Sequence, residues 1–312
     1  MVGLGLMGSS IATCLLAAGH HVTALDKKPA EENKGIVLQR IRSYLKEMKK
    51  EDLIDEKIGD ILSRLTITDE IKDLTAHQLV FEAIFENVTE KQKLFHNLEN
   101  VLPADAIIGT NTSAIPISIL QDGLKHPRRL IGIHWAEPAH ITRFMEVICG
   151  SQTELGYAEQ IVSMAKNWNK EPSLLKKDIR GFITNRIMYA MLREAFHLVE
   201  GGYATIEDID RSLRNDLGYW ITFAGPFRFM DLTGIPAYLA VMRDLFGELD
   251  NSSKVPPMIE ELVAQGAKGT SNAHGFYQYT AESAKNWERQ FIAFSYDIRK
   301  LAAKYSNSKD RS

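Results

Sequence analysis

The sequence predicts an α/β protein: a doubly wound, mostly parallel sheet, followed by a mainly α-helical C-terminal domain. Three observations predict it. Over the first half of the chain, short β-branched or apolar runs alternate with helical patterns, as strands joined by helical crossovers do. A Gly-x-Gly-x-x-Gly turn at Gly3, Gly5 and Gly8 leads directly into a helical segment. Past residue 178 strand patterns stop and amphipathic helices take over. The expected domains are therefore residues 1–178 and residues 179–312.

The elements follow in order. A helix over 9–18 leaves the glycine turn, and strands are expected at 21–26, 65–68, 79–84, 106–110, 130–133 and 145–148, with a last one around 173–176. Between the first two strands lies a helical insertion at about 36–62, longer than a plain crossover needs. Its apolar residues Ile41, Leu45 and Met48 recur at helical spacing, and its other faces carry Lys and Glu. In the second domain, Ile187, Met191, Ala195 and Leu198 share a face with Met188, Leu192 and Val199 beside it, so the helix over 187–199 should be buried in a core or a dimer interface. Thr205 and Asp208 read as an N-cap and its partner opening the next helix. The tail after Lys304 is expected to fray.

Composition narrows the function classes. The 312 residues are 45% hydrophobic and 25% charged, the balance of a soluble globular protein. A net charge of -3 supplies no field for a nucleic acid, and the basic stretch from Lys46 to Lys50 is followed by acids. Cys14 and Cys149 stand far apart, which gives neither a disulfide framework nor a metal-ligand spacing and suits a reducing cytoplasm or organelle matrix. The apolar N-terminal stretch has no basic residue ahead of it, unlike a secretory signal, and no later stretch is fit to span a bilayer, so no membrane partner is expected.

The glycine turn carries the first chemistry. Gly3, Gly5 and Gly8, with Leu6 and Met7 between them, form the fingerprint in which backbone amides and a helix N-terminus approach a pyrophosphate without an intervening side chain. Asp26, at the end of the next strand, is placed to accept hydrogen bonds from ribose hydroxyls and would repel a 2′-phosphate. This makes the first domain Rossmann-type and favours NAD over NADP, a preference softened by Lys27 and Lys28. Only Met1 and Val2 precede Gly3, so the innermost strand is nearly absent. Either the chain start is truncated or misassigned or the sheet is abnormal, and poor stability is expected.

A second polar set has little reason to sit in a core. His134 and Glu146 lie in "IGIHWAEPAHITRFMEVI", Ser113 in "IIGTNTSAI" and Asn185 in "GFITNRI". Oxidising an alcohol requires a base for the hydroxyl proton while hydride leaves the same carbon, a group that orients the base, and contacts that hold the oxygen. His134 fits the base, Glu146 the orienter, and Ser113 and Asn185 the oxygen contacts. Taken singly, Ser113 is a turn residue, Asn185 a helix cap and Glu146 a strand acid. His126 and His140 have no motif behind them and read as surface or loop residues.

With these residues in place, the chain resembles the 3-hydroxyacyl-CoA dehydrogenase family over nearly its whole length. The resemblance rests on "GLGLMG", Asp26, "VFEAIFENVTEKQKLF", "TNTS", the His134 to Glu146 segment, "GFITNRI", "GPF" and "GFYQY". It implies NAD-dependent interconversion of a 3-hydroxyacyl-CoA and a 3-ketoacyl-CoA, with His134 as base, Glu146 as its partner, and Ser113 and Asn185 on the substrate oxygen. It further implies that Glu86, Asn87, Lys91 and Asn111 line the nicotinamide end of the cofactor site, that Lys46, Lys49 and Lys50 lie either near the CoA phosphates or on an ordinary charged helix surface, and that the helical domain forms a homodimer.

Two departures bear on substrate. Where the acyl-CoA enzymes usually read His-Phe-Phe-Asn-Pro, this chain reads His134, Trp135, Ala136, Glu137, Pro138, a carboxylate in place of a neutral amide. The stretch from Gly218 to Pro226 has the length found in the branch that resembles L-gulonate and carnitine dehydrogenases and lambda-crystallin, which implies a free hydroxy acid as the alternative substrate. That branch tends to hold the carboxylate with an Arg. Here Trp220 takes the matching place, with Arg228 nearby. A non-catalytic dinucleotide-binding structural protein is the remaining alternative.

Overall fold

The computed structural model describes residues 1–26 and 31–305. Lys27, Lys28 and the tail after Tyr305 lie outside the described residues. The chain divides into two compact units, Met1–Arg186 and Ile187–Ser312.

In chain order the first unit contains α1 (Leu6–Ala17), β1 (Val22–Leu25), α2 (Glu31–Lys50), α3 (Ile58–Leu62), β2 (Leu65–Thr68), β3 (Leu79–Glu82), α4 (Val88–Glu99), β4 (Ile107–Thr110), α5 (Ile117–Leu120), β5 (Leu130–Trp135), β6 (Phe144–Cys149), α6 (Leu155–Ala165) and β7 (Glu171–Leu175). Helix α7 (Thr184–Glu200) starts in this unit. The second unit continues with α8 (Ile206–Asn215), α9 (Leu217–Ile221), α10 (Pro226–Thr233), α11 (Ile235–Leu245), α12 (Pro257–Ala264) and α13 (Ala281–Tyr305). Each of the seven expected strands is present within two residues at either end.

Strand β1 pairs with β2, and β3, β4 and β5 pair in sequence, all parallel; β6 runs antiparallel to β5 and β7 parallel to β6. The place between β1 and β3 is taken by the first three residues: Val2 bridges Leu25 on one side and Glu82 on the other, while the Met1 carbonyl accepts from the Leu25 amide and the Gly3 amide donates to the Leu25 carbonyl. The Val2 amide donates to the Phe81 carbonyl, and the Val2 carbonyl accepts from the Ala83 amide. One face of the sheet packs Ile11, Leu15 and Leu16 of α1 together with Ile161 and Trp168. The other packs Phe95 and Leu98 of α4 with Ile117 and Leu120 of α5. Helices thus cover both faces, as the doubly wound reading requires.

Helix α1 ends in a Schellman motif: Gly19 has φ +88°, its amide donates to the Leu16 carbonyl, and the His20 amide donates to the Leu15 carbonyl. The insertion is two helices rather than one, starting at Glu31 and interrupted after Lys50, where Asp52 adopts φ +55°. The seam read from the sequence holds. Ile41, Leu45 and Met48 are all buried, each worth about 1.5–3 kcal/mol of apolar burial.

Helix α7 departs from expectation. None of its residues is buried within the chain, and Ile187 is 64% exposed, so the core reading of this helix is wrong for the single chain. The cause is general to the second unit, where Ala284 and Tyr296 are the only buried residues among those described. The Thr205 cap forms as expected, its hydroxyl oxygen accepting from the Asp208 amide at 3.1 Å. Among the described residues no helix is long and apolar enough to cross a membrane. Cys14 and Cys149 are buried and not joined in a disulfide.

Candidate active site

The site begins with strand register. Strands β5 and β6 are antiparallel, and His134 stands directly opposite Glu146. His134 Nδ1 meets Glu146 Oε2 at 2.8 Å, which holds the ring's other nitrogen, Nε2, as the free face of the imidazole. The second carboxylate oxygen of Glu146 accepts from the amides of Ile183 and Thr184, both at 3.0 Å, at the N-terminus of α7. Burial pushes the Glu146 carboxyl up, but the His134 hydrogen bond and the Thr184 and Ile183 amides outweigh it, and its pKa falls below the ordinary carboxylate value. Glu146 is therefore an anion with every contact aimed at fixing one imidazole. Phe144 and Phe182 flank that ring at 5.4 and 5.9 Å between centroids. Phe182 reaches its place because Gly181 and Phe182 both adopt positive φ, turning the chain sharply into α7.

The other predicted residues converge on the loop after β4. Asn185, one residue into α7, donates from Nδ2 to the Ser113 carbonyl at 2.7 Å. Glu86 Oε1 accepts from the Thr112 hydroxyl at 2.5 Å and from the Ser113 amide at 3.1 Å, so one carboxylate shapes the turn that presents Ser113. Asn111 Oδ1 accepts from the Trp135 amide at 2.9 Å, tying this loop to the end of the strand that carries His134. Asn87 caps α4, accepting from the Glu90 amide.

Sequence reasoning missed Glu82. It is fully buried at the end of β3, where Oε1 accepts from Lys91 Nζ and the Ile84 amide, each at 2.6 Å, and Oε2 accepts from the Thr110 hydroxyl at 2.6 Å. The available signal was an acid closing the apolar run Leu79, Val80, Phe81. Lys91 is equally buried, and its three hydrogens have three acceptors in place: Glu82, the Ile84 carbonyl at 3.4 Å and Glu86 at 3.5 Å.

At the glycine turn, a Cβ on Gly3 (φ +87°) would lie 2.7 Å from the Ala83 carbonyl oxygen, and one on Gly8 would lie 1.9 Å from that of Gly3. At Gly5, the N-cap of α1, a Cβ would meet nothing within 4 Å. Gly3 and Gly8 close the turn on its neighbours, while Gly5 leaves open space before the amides of Leu6 and Met7. That is a cradle fitted to a pyrophosphate. Asp26 follows β1, its amide bonded to the Thr68 carbonyl. Arg40 of α2, another residue missed from sequence, donates to the Leu4 carbonyl at 3.2 Å and the Ser9 hydroxyl at 3.3 Å, bracing the turn.

Three further placements qualify the expectations. His140 is in a loop but not at the surface: it is buried, stacked on Tyr44 at 4.1 Å and bonded through Nδ1 to Ser10 at 2.8 Å, because α2 folds over the loop. Lys49 donates to the carbonyls of Asp55 and Glu56, so it closes the turn between α2 and α3. Trp220 stacks on Phe229 with centroids 4.4 Å apart.

Comparison with known proteins gives a consistent result. The pattern described as 3-hydroxyacyl-CoA dehydrogenase, NAD binding domain, matches residues 1–179, and that of the C-terminal domain matches residues 181–279. A 5-formyl-3-hydroxy-2-methylpyridine 4-carboxylate 5-dehydrogenase from Mesorhizobium japonicum is 33% identical over 295 residues, covering 91% of each chain. The human mitochondrial hydroxyacyl-coenzyme A dehydrogenase is 32% identical and covers 89% of this chain and 90% of its own. A crystal structure of a 5-formyl-3-hydroxy-2-methylpyridine 4-carboxylic acid 5-dehydrogenase, described as an NAD+ dependent dismutase, superposes with a TM-score of 0.88 at 30% identity, covering 98% of both chains.

Proposed function

This chain belongs to the NAD-dependent 3-hydroxyacyl-CoA dehydrogenase family, and on that premise we propose that it interconverts a secondary alcohol and a ketone through the His134–Glu146 pair. The observation that carries this reading is the buried Glu146 carboxylate, whose one oxygen orients His134 and whose other is held by the α7 amides. NAD, when bound, supplies the hydride acceptor. In the oxidation direction His134 Nε2 takes the hydroxyl proton as the hydride leaves the same carbon, and Glu146 stabilises the imidazolium that results. Ser113 and Asn185, joined by their hydrogen bond, contact the substrate oxygen. Glu82, Glu86 and Lys91 act at one remove, holding the loops around the nicotinamide end. Asp26 favours NAD over NADP.

For substrate, the first reading is a 3-hydroxyacyl-CoA, the class named for the family. Lys46 and Lys50 of α2 are the basic groups available to CoA phosphates, since Lys49 is engaged with the turn that follows. A second reading, a free carboxylate-bearing substrate without CoA, has its own observation. The 98% coverage and 0.88 TM-score belong to an enzyme whose named substrate is a pyridine carboxylate. Assembly as a homodimer through the helical unit and residence in the reducing cytoplasm complete the proposal.

The test is NADH oxidation by the purified full-length chain with acetoacetyl-CoA, acetoacetate, a free 3-keto sugar acid and a pyridine carboxaldehyde carboxylate, with His134→Gln as control. Rapid His134-dependent turnover of the thioester alone supports the first reading. Turnover confined to a free acid or to the pyridine compound overturns it in favour of the second. Firm NADH binding with no turnover on any of them means that the chain binds the dinucleotide without this chemistry.

A further inference from the structure

The loop between β5 and β6 is held by more bonds than a connection needs. The Pro138 carbonyl accepts from the amides of Ile141 and Thr142, and the Ala136 carbonyl accepts from the Thr142 hydroxyl at 3.5 Å. Helix α1 holds the loop through Ser10, whose hydroxyl meets His140 Nδ1 at 2.8 Å and accepts from the His140 amide at 3.0 Å, and through the Cys14 thiol, which donates to the Ala139 carbonyl at 3.4 Å. Helix α2 holds it through Tyr44, stacked on His140, and through Glu47, 3.4 Å from His140 Nε2. The buried Lys170 ammonium donates to the carbonyls of Ala139 and Thr142. Ser10, His140 and Lys170 are polar groups that the proton and hydride steps do not use, and their burial has a cost that these bonds must offset. What they fix in place is Glu137. Of residues 136–143 it alone is exposed. It stands two residues past the carboxyl end of β5, the edge at which open α/β sheets receive ligands, and three residues past the base. Its charge reaches Tyr44: burial pushes that phenol's pKa up, the Arg40 guanidinium opposes the rise, and the Glu137 and Glu47 carboxylates add to it. Arg40 itself is engaged with the glycine turn, and among the described residues no hydrogen bond or ion pair reaches the Glu137 carboxylate.

We propose that Glu137 selects the substrate: its carboxylate accepts a hydrogen bond from a hydroxyl or protonated nitrogen on the carbon beside the reacting carbinol, and so favours a free polar hydroxy acid over a CoA thioester. The inference rests on the alcohol and ketone reading above and deepens it by choosing between the two substrate classes. The choice follows from the change of group. An amide at this place, as in the His-Phe-Phe-Asn-Pro of the acyl-CoA enzymes, both donates and accepts, whereas a carboxylate only accepts. Beyond its carbinol a 3-hydroxyacyl-CoA presents a methylene and then a thioester carbonyl, that is, an apolar carbon and an acceptor. Glu137 has no bond to make with either, so a thioester pressed against it strips water from an anion and gives nothing back. The CoA phosphates bring further negative charge toward the same anion. A donor beside the carbinol reverses the account, because a hydrogen bond to a charged acceptor is worth about 10- to 100-fold in affinity. The rigidity of the loop matters for the same reason. A carboxylate free to swing into water would tolerate either substrate, while one carried on a loop tied to α1, α2 and Lys170 meets every substrate at one place.

The experiment is NAD reduction by the full-length protein with four compounds built on one skeleton: 3-hydroxybutyryl-CoA, 3-hydroxybutyrate, 2,3-dihydroxybutyrate and 2-amino-3-hydroxybutyrate. It is run on the natural chain, Glu137→Asn and Glu137→Gln, with thermal unfolding to report folding; the position is exposed, so both variants are expected to unfold at the natural midpoint. For the natural chain, kcat/KM is expected to be at least about tenfold higher with a donor-bearing acid than with 3-hydroxybutyrate or the thioester. The dihydroxy and amino compounds tell a hydroxyl donor from a protonated nitrogen. Both variants are expected to lose about 10- to 100-fold on the preferred acid, chiefly through KM, and to gain on the thioester. A natural chain that prefers the thioester, or treats all four alike, overturns the proposal. Variants that keep the natural ranking overturn it as well, while their turnover leaves the alcohol and ketone reading standing. A natural chain that oxidises none of the four overturns that reading and the proposal with it.

Discussion

Between Met1 and Arg186 the interior holds charged groups, Glu82, Lys91, Arg129, Glu146 and Lys170 among them, whereas from Ile187 onward large apolar side chains face outward and, among the described residues, Ala284 and Tyr296 alone are buried. The difference separates two uses of the same chain. In the first unit, charged groups are taken out of water at a cost that well-placed partners offset, and Glu82, Lys91 and Glu146 each fix a loop or strand end through theirs. In the second, the apolar surface is left for something else to cover, and helix stability depends on that cover. The groups proposed to react, His134, Glu146, Ser113 and Asn185, all belong to the first unit.

The largest expected effect follows from that placement. His134→Gln removes the base, and kcat is expected to fall about 10²- to 10⁴-fold, with NADH affinity unchanged by fluorescence titration because the glycine turn is untouched. Glu146→Gln is expected to fall by a similar factor, since its amide must donate toward Nδ1 and forces the wrong tautomer. Near-normal turnover by either variant would break the claim that the first unit holds the chemistry. Stability should carry a pH signature as well. The Glu146 pKa is lowered on folding, so its contribution is complete above the ordinary carboxylate range and is lost as pH falls through that range toward the depressed value. Chemical denaturation of the natural chain and Glu146→Gln should therefore differ most near neutrality and converge in acid.

A second test concerns the buried pair alone. Lys91→Met leaves Glu82 as an uncompensated anion and is expected to destabilise the first unit by about 3–5 kcal/mol. The double variant Glu82→Gln/Lys91→Met should recover most of that loss, because the two groups answer each other at 2.6 Å. A double variant as unstable as the single one would show that Glu82 matters chiefly through Thr110 and Ile84.

How far the sequence discloses these arrangements depends on which contacts are local. The seven strands, the α2 seam at Ile41, Leu45 and Met48, and the Thr205 cap are written in short-range periodicity and spacing, and all are found. His134 and Glu146 were legible because chemistry demands such a pair, yet their meeting depends on the β5–β6 register, which no spacing rule supplies. Glu82, Arg40 and the buried setting of His140 were not legible, since each is defined by partners far off in sequence: Thr110 for Glu82, Leu4 and Ser9 for Arg40, and Ser10 for His140. The apolar face of α7 is legible as one that needs cover, in a core or a dimer interface, and of the two the core is not found within the chain, because a pattern says that a face needs cover without saying that its own chain provides it.

The smallest expected effect tests whether the second unit is as loosely interdependent as its exposure implies. Thr205 satisfies the Asp208 amide at the start of α8, a helix with no buried residue, so the bond serves one helix end. Thr205→Ala is expected to cost about 1 kcal/mol, seen as about fivefold faster amide exchange in the first turns of α8, with Thr205→Ser restoring protection and turnover unaffected in both. Exchange that also quickens in α4 or near His134 would contradict the contrast drawn here, because a cap on an exposed helix of the second unit would then be coupled to groups that the first unit holds through its own buried charges.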